Sequence, residues 1–159
     1  MIRAATPDDL PTIARLIRAL AEYEKLSDRV VFNEDQLGRH LFGPRPYAEV
    51  LLAECDGNVV GFALFFHSFS TFLGRPGIYL EDLFVEPAYR GRGFGKALLI
   101  ALAKLAAERG CGRVEWAVLD WNEPSIRFYQ SLGAVPNSDW IVYRLQGNSL
   151  EALAEHPTR

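Results

Sequence analysis

The sequence predicts a single layered α/β (or α+β) domain over residues 1–159, and three observations carry that expectation. The chain is 159 residues long, enough for one core and too short for two. Strand-like and helix-like periodicities alternate along it. No internal repeat, low-complexity tract or linker interrupts the alternation. The composition, 49% hydrophobic and 23% charged, is that of an ordinary soluble globular protein.

Ile2 to Ala5 reads as a first strand. Thr6-Pro7-Asp8-Asp9 follows as a helix start, with Thr6 as N-cap, Pro7 at the first helical position and Asp9 as the capping-box acid. Leu10, Ile13, Leu16, Ile17 and Leu20 then recur at helical spacing. A second helix is expected from Glu34 to Phe42. Ala48 to Cys55 and Val59 to Phe69 alternate as two strands of a hairpin, turned by Asp56-Gly57-Asn58. Gly77 to Val85 is a fourth strand. A glycine-rich loop leads into an apolar helix from Gly95 to Arg109, ended by Gly110. Arg113 to Leu119 is a fifth strand, and Asn122 to Leu132 a short helix with Pro124 early and Gly133 after it. Trp140 to Gln146 reads as a last strand. A short helix is expected from Ser149.

Several function classes are disfavoured. A net charge of −3 leaves no basic footprint for nucleic acid. No run of about 18 apolar residues is present, so no membrane span is expected. Met1 to Asp9 lacks the apolar region of a signal peptide, which points to the cytoplasm. Cys55 and Cys111 read as two buried thiols in a reducing compartment. His40, His67 and His156 are scattered without ligand spacing, so no metal is expected.

The most informative stretch runs Leu80-Glu81-Asp82-Leu83-Phe84-Val85-Glu86-Pro87-Ala88-Tyr89-Arg90-Gly91-Arg92-Gly93-Phe94-Gly95-Lys96. A strand enters a glycine-rich turn that opens a helix. Such a turn aims backbone N–H groups at one point, and the helix dipole adds positive potential. Gly93 and Gly95 allow close approach, and Arg90 and Arg92 add charge. The fitting ligand is a phosphate or pyrophosphate. A Walker A loop is ruled out by Arg90 at its first position and Ala97 after Lys96. A dinucleotide fingerprint is ruled out by Lys96 at its third glycine. The pattern that fits is Arg/Gln-x-x-Gly-x-Gly/Ala, met by Arg90, Gly93 and Gly95. Here the chain resembles the GNAT acetyltransferases.

That resemblance implies a mixed, mostly antiparallel sheet of roughly six to seven strands with helices on both faces. It implies an acetyl-CoA cleft between strands 4 and 5. Acetyl transfer to an amine needs a neutral nucleophile, and at pH 7 under about 0.1% of a free alkyl ammonium is neutral. A base must therefore take a proton, a donor must polarise the thioester oxygen, and the leaving thiolate needs an acid. Glu81, mid-strand before the loop, is the expected base. Two adjacent acids in an apolar strand are costly to bury without purpose, and alternation sends Glu81 and Asp82 to opposite faces. Backbone N–H groups near Phe84 or Val85 would polarise the carbonyl.

A second motif is Asp120-Trp121-Asn122-Glu123-Pro124-Ser125-Ile126-Arg127-Phe128-Tyr129, followed by Leu132-Gly133-Ala134. It matches the family pattern Asn-x-x-Ala/Ser-x-x-x-Tyr then Gly-Ala. The resemblance assigns Asn122 to the cofactor and Tyr129 to the thiolate as general acid. Ser125 and Tyr129 share one helix face by their i, i+4 spacing. Trp121 could equally be core packing.

Leu20-Ala21-Glu22-Tyr23-Glu24-Lys25-Leu26-Ser27-Asp28, Tyr79-Leu80-Glu81-Asp82 and Ala117-Val118-Leu119-Asp120-Trp121-Asn122 narrow the resemblance to the diamine acetyltransferase subgroup. That subgroup includes spermidine/spermine N1-acetyltransferase and thialysine Nε-acetyltransferase, the latter being closer. Polyamine acetylators present an aspartate where Ser70 stands here, whereas Asn122-Glu123-Pro124-Ser125 resembles the polyamine branch. The short stretch Val135 to Asp139 is a departure from the longer loop of the animal enzymes.

The subgroup implies a small-molecule primary amine as acceptor and a homodimer. It places Tyr23, Glu24, Glu81, Asp82, Glu115, Trp116 and Ala117 on the amine. It places Leu83, Phe84, Val85, Arg90, Gly91, Arg92, Gly93, Phe94, Gly95, Lys96, Asn122, Glu123, Pro124 and Ser125 on the cofactor. Attack would be direct, since neither Cys55 nor Cys111 has a basic partner in its sequence context. A protein lysine acetyltransferase and a non-catalytic CoA-binding sensor are the alternatives. A sensor would have no need of Glu81 and Tyr129.

Overall fold

A computed structural model describes residues 1–158. The chain divides into two compact units, Met1–Ala117 and the remainder from Val118 onward. The first holds one five-stranded sheet in the order β1-β2-β3-β4-β5. Its strands are β1 (Ile2–Ala4), β2 (Glu49–Cys55), β3 (Asn58–Ser70), β4 (Arg75–Val85) and β5 (Val114–Trp116). Neighbours are antiparallel except β4 and β5, which run parallel. The sheet is thus mixed and mostly antiparallel, with fewer strands than expected. Trp140 to Gln146 forms no strand, and Trp140, Ile141, Val142 and Tyr143 lie exposed. The fifth strand is confined to three residues of the seven expected.

Helix α1 (Leu10–Tyr23) follows a 3-10 turn at Pro7–Asp9 rather than starting at Pro7. The capping acid acts as expected: the Asp9 carboxylate accepts from the Thr6 backbone N–H at 2.7 Å. Ile13, Leu16 and Leu20 of α1 and Leu41 of α2 (Glu34–Phe42) pack on Val50, Leu52, Phe62, Leu64 and Phe84. Phe62 opposes Phe84, and the residues flanking them on β3, Gly61 and Ala63, turn to the other face. Helix α3 (Phe94–Glu108) packs along the sheet and supplies buried Leu98, Leu99, Leu102 and Ala106.

The helix ends fix where the polar groups sit. α1 stops in a Schellman motif: Leu26 N–H donates to Ala21 O at 2.8 Å and Lys25 N–H to Glu22 O at 3.1 Å. Lys25 carries the required left-handed conformation at φ +60°. Tyr23 and Glu24 are therefore held at the helix tip.

The second unit contains α4 (Glu123–Ser131) and α5 (Gly147–Ala154). Gly133, at φ +87°, lets the chain turn back so that Ala134 N–H reaches Tyr129 O at 3.2 Å. Two expectations are corrected. Cys55 and Cys111 are free thiols but half-buried rather than buried. Trp121 is 48% exposed, so it is no core residue. No helix among the described residues is long and apolar enough to cross a membrane.

Candidate active site

The β3–β4 ladder contains a bulge at Glu81. Leu64 pairs with Asp82 and Phe65 with Leu80, so Glu81 has no opposite residue. The extra residue changes which way the following side chains point. Leu80, buried, shares a face with Phe65; Asp82 shares the opposite face with Leu64, Phe84 and the end of α1. Glu81 itself is exposed. Strand alternation alone would have put Leu80 and Asp82 on the same side.

Three carboxylates gather around this bulge. Burial raises the Asp82 carboxyl from 3.8 to about 7, with further upward pushes from the charges of Glu81 and Glu24. Burial likewise raises Glu24. Glu81 and Glu115 extend the acidic string toward Tyr79, whose hydroxyl is raised first by burial and then by those two charges. Glu115 opposes Tyr79 on β5 and pairs with Arg113 at 2.8 Å. Trp116, half-buried, opposes Leu80, and Ala117 lies one residue past the strand.

The pairing of β4 with β5 ends at Leu80 and Trp116, while β4 runs on to Val85. Strand parity decides which groups face that open edge. Glu86 N–H donates to Val60 O on β3 at 2.8 Å, and Val85 O turns the other way to accept from Arg90 Nε at 2.9 Å. Alternation then aims the N–H groups of Leu83 and Val85 along the β5 side, with Phe84 facing β3. Of the two polarising donors expected from sequence, Val85 is suitably directed and Phe84 is not.

Past Val85 a 3-10 turn at Pro87–Tyr89 leads to Arg90. Gly91 and Gly93 have φ of +73° and +86°, with open space where a Cβ would stand. Gly93 is the N-cap of α3, and no side chain caps that terminus. Gly95 lies inside the helix. A left-handed glycine followed by an uncapped helix start presents backbone donors to an anion, so these residues fit a phosphate. Both arginines rest on rings: Arg90 over Tyr23 at 4.3 Å and Phe84 at 5.4 Å, Arg92 over Tyr89 at 5.3 Å and Phe94 at 5.6 Å. Lys96 is exposed on the first turn of α3.

In the second unit Asn122, buried, is the N-cap of α4, and its Oδ1 accepts from Ser125 N–H at 3.4 Å. Pro124 occupies the first turn, and Glu123 pairs with Arg127. Tyr129 is half-buried one turn beyond Ser125, its ring 5.6 Å from that of Phe128. Ser70 is buried and its Oγ accepts from Leu73 N–H at 3.2 Å, so it shapes the β3–β4 turn.

Sequence reasoning missed the bulge and the ion pair of Arg15 on α1 with Glu86. Neither carries a local signature, because both arise from long-range pairing. A separate cavity of about 460 Å³ is lined by Arg15, Arg18, Ala19, Glu22, Ser27 and Val30. It contains none of the expected site residues.

Residues 14–134 match the model of the acetyltransferase (GNAT) family. The chain is 42% identical to a thialysine N-epsilon-acetyltransferase of Bos taurus, over 97% of this chain and 96% of that one. It is 36% identical to an L-ornithine N5-acetyltransferase of Arabidopsis thaliana, over 96% and 86%. Among solved structures it resembles an integron cassette protein from the mobile metagenome of V. cholerae, with a TM-score of 0.82, 27% identity and 98% of both chains covered.

Proposed function

Because this chain belongs to the GNAT acetyltransferase family, we propose that it moves an acetyl group from acetyl-CoA to a primary amine of a small dicationic molecule. Thialysine-like and other diamino acids come first, ahead of diamines and polyamines. The observation that carries this reading is the cluster of Glu24, Glu81 and Asp82 beside the open edge of β4. Two relatives named for side-chain amines of diamino acids support the same choice.

Acetyl-CoA supplies the activated acetyl group when bound. Gly91 to Lys96 and the start of α3 would hold its pyrophosphate, with Arg90 and Arg92 adding charge; the family resemblance also assigns Asn122, Glu123, Pro124 and Ser125 to the cofactor. The N–H groups of Leu83 and Val85 bind along the strand edge. Tyr23, Glu24 and Asp82 receive the ammonium groups of the acceptor, with Glu115, Trp116 and Ala117 along the groove. Glu81 takes the proton that makes the attacking amine neutral. The family resemblance assigns Tyr129 as the residue that would donate a proton to the departing thiolate. The same resemblance supports a single functional domain working as a cytoplasmic homodimer.

The test is free-thiol release from acetyl-CoA across thialysine, lysine, ornithine, spermidine, spermine, putrescine and a lysine-containing peptide. Preferential turnover of a small diamino acid is expected. Preference for the peptide would replace this reading with protein acetylation. Acetyl-CoA binding without turnover of any amine would replace it with a sensor.

A further inference from the structure

Arg90 occupies the position that the loop pattern gives to a phosphate ligand, yet its guanidinium is anchored elsewhere as well. Its Nε donates to Val85 O at 2.9 Å, and its guanidinium carbon lies over the ring of Tyr23, 4.3 Å from the centroid. Tyr23 is the last residue of α1, and Glu24, next to it, acts electrostatically on Asp82. Two turns earlier on the same helix, Arg15 pairs with Glu86 at the end of β4. The acid-bearing tip of α1 is thus fastened to the segment that opens the glycine-rich loop.

We propose that Arg90 is a positioning residue that couples the cofactor loop to the acceptor side of the site through Tyr23. A guanidinium held over a ring can still offer its N–H groups beyond Nε to an anion. An anion that draws on those N–H groups also draws on the group holding Tyr23. Cofactor binding then sets the position of Glu24 relative to Asp82, and by linkage the amine tightens cofactor binding in return. The proposal rests on the amine acetyltransferase reading for the identity of the two ligands.

The experiment is a double-mutant cycle. Amine KM at saturating acetyl-CoA is measured for Arg90→Gln in three backgrounds: wild type, Tyr23→Phe and Tyr23→Leu. Arg90→Gln should raise KM by about 3- to 10-fold where residue 23 keeps an aromatic ring, and should add nothing in the Tyr23→Leu background. An equal increase in all three backgrounds, or no increase in wild type, overturns the coupling. A second arm needs no turnover: hydrogen exchange of the Ala21 to Glu24 amides with saturating acetyl-CoA. Acetyl-CoA should slow this exchange in the wild type and not in Arg90→Gln. Equal slowing in both proteins overturns the proposal. Failure of the wild type to acetylate any amine sinks the acetyltransferase reading, while the exchange arm still decides the coupling.

Discussion

Asp82 stands directly opposite Leu64 on β3, so its carboxyl is turned toward the apolar side of the sheet covered by α1. That placement follows from one unpaired residue, Glu81. It separates two neighbouring acids into an exposed group and a largely desolvated one. The difference makes their roles separable by experiment.

Replacing Asp82 should act through its charge. Its carboxyl titrates at about 7 in the folded protein, against 3.8 as the ordinary value. The folded state therefore binds more protons than the unfolded state between those pH values, and stability falls as pH rises through the window. Asp82→Asn should remove that fall, stabilising the protein at pH 8 by on the order of 1–4 kcal/mol relative to its effect at pH 4. Thermal melts at the two pH values measure it. Equal effects at both would show that Asp82 is not held near neutrality. Amine KM should also drop as pH rises through 7 in the wild type, and lose that limb in Asp82→Asn.

Glu81→Gln should lower kcat rather than raise KM. The loss is expected at about 10²-fold, the size typical of general-base removal. The kcat–pH profile should shift upward, because only amine already neutral in solution reacts. An unchanged profile would remove Glu81 as the proton acceptor.

Tyr129→Phe should reduce turnover by about 10²-fold with little change in acetyl-CoA affinity. Calorimetry beside steady-state kinetics separates the two quantities. A parallel loss of affinity would make the hydroxyl a binding group instead.

Gly93→Val should abolish acetyl-CoA binding. A β-branched residue at φ +86° is strained by roughly 1–3 kcal/mol, and its side chain enters the space open before α3. Tight binding by a folded Gly93→Val variant would dismiss the loop as the phosphate site.

Asn122→Ala should destabilise α4 by about 1 kcal/mol, because its side chain caps Ser125 N–H. Denaturant melts read the change. Stability equal to wild type would mean the cap contributes nothing measurable.

Much of this was legible along the chain. α2 spans Glu34–Phe42 as expected, and α3 and α4 run one residue or less from the expected starts and ends. The glycine-rich loop was legible because left-handed glycines and a helix start are local features. The missing strand at Trp140 to Gln146 shows the limit. Its apolar run has strand propensity, but a strand exists only when another strand meets its backbone.

What the sequence by itself determined is the family, the glycine-rich loop and the residue types available for the proposed acetyl transfer. The loop follows from short spacings whose physics is local, and the family from the resemblance those motifs carry. What only the tertiary structure decided is the direction in which those residues act. The bulge at Glu81 needs β3 opposite β4, residues far apart in the chain, before it can turn Asp82 toward α1. The raised Asp82 carboxyl needs the burial and the Glu24 charge that this turn provides. The rest of Arg90 on Tyr23 needs a loop and a helix 67 positions apart, by their numbers in the chain (90 − 23), to meet in space. Electrostatic environment and facing are sums over neighbours, and neighbours across a sheet are set by folding, not by sequence order.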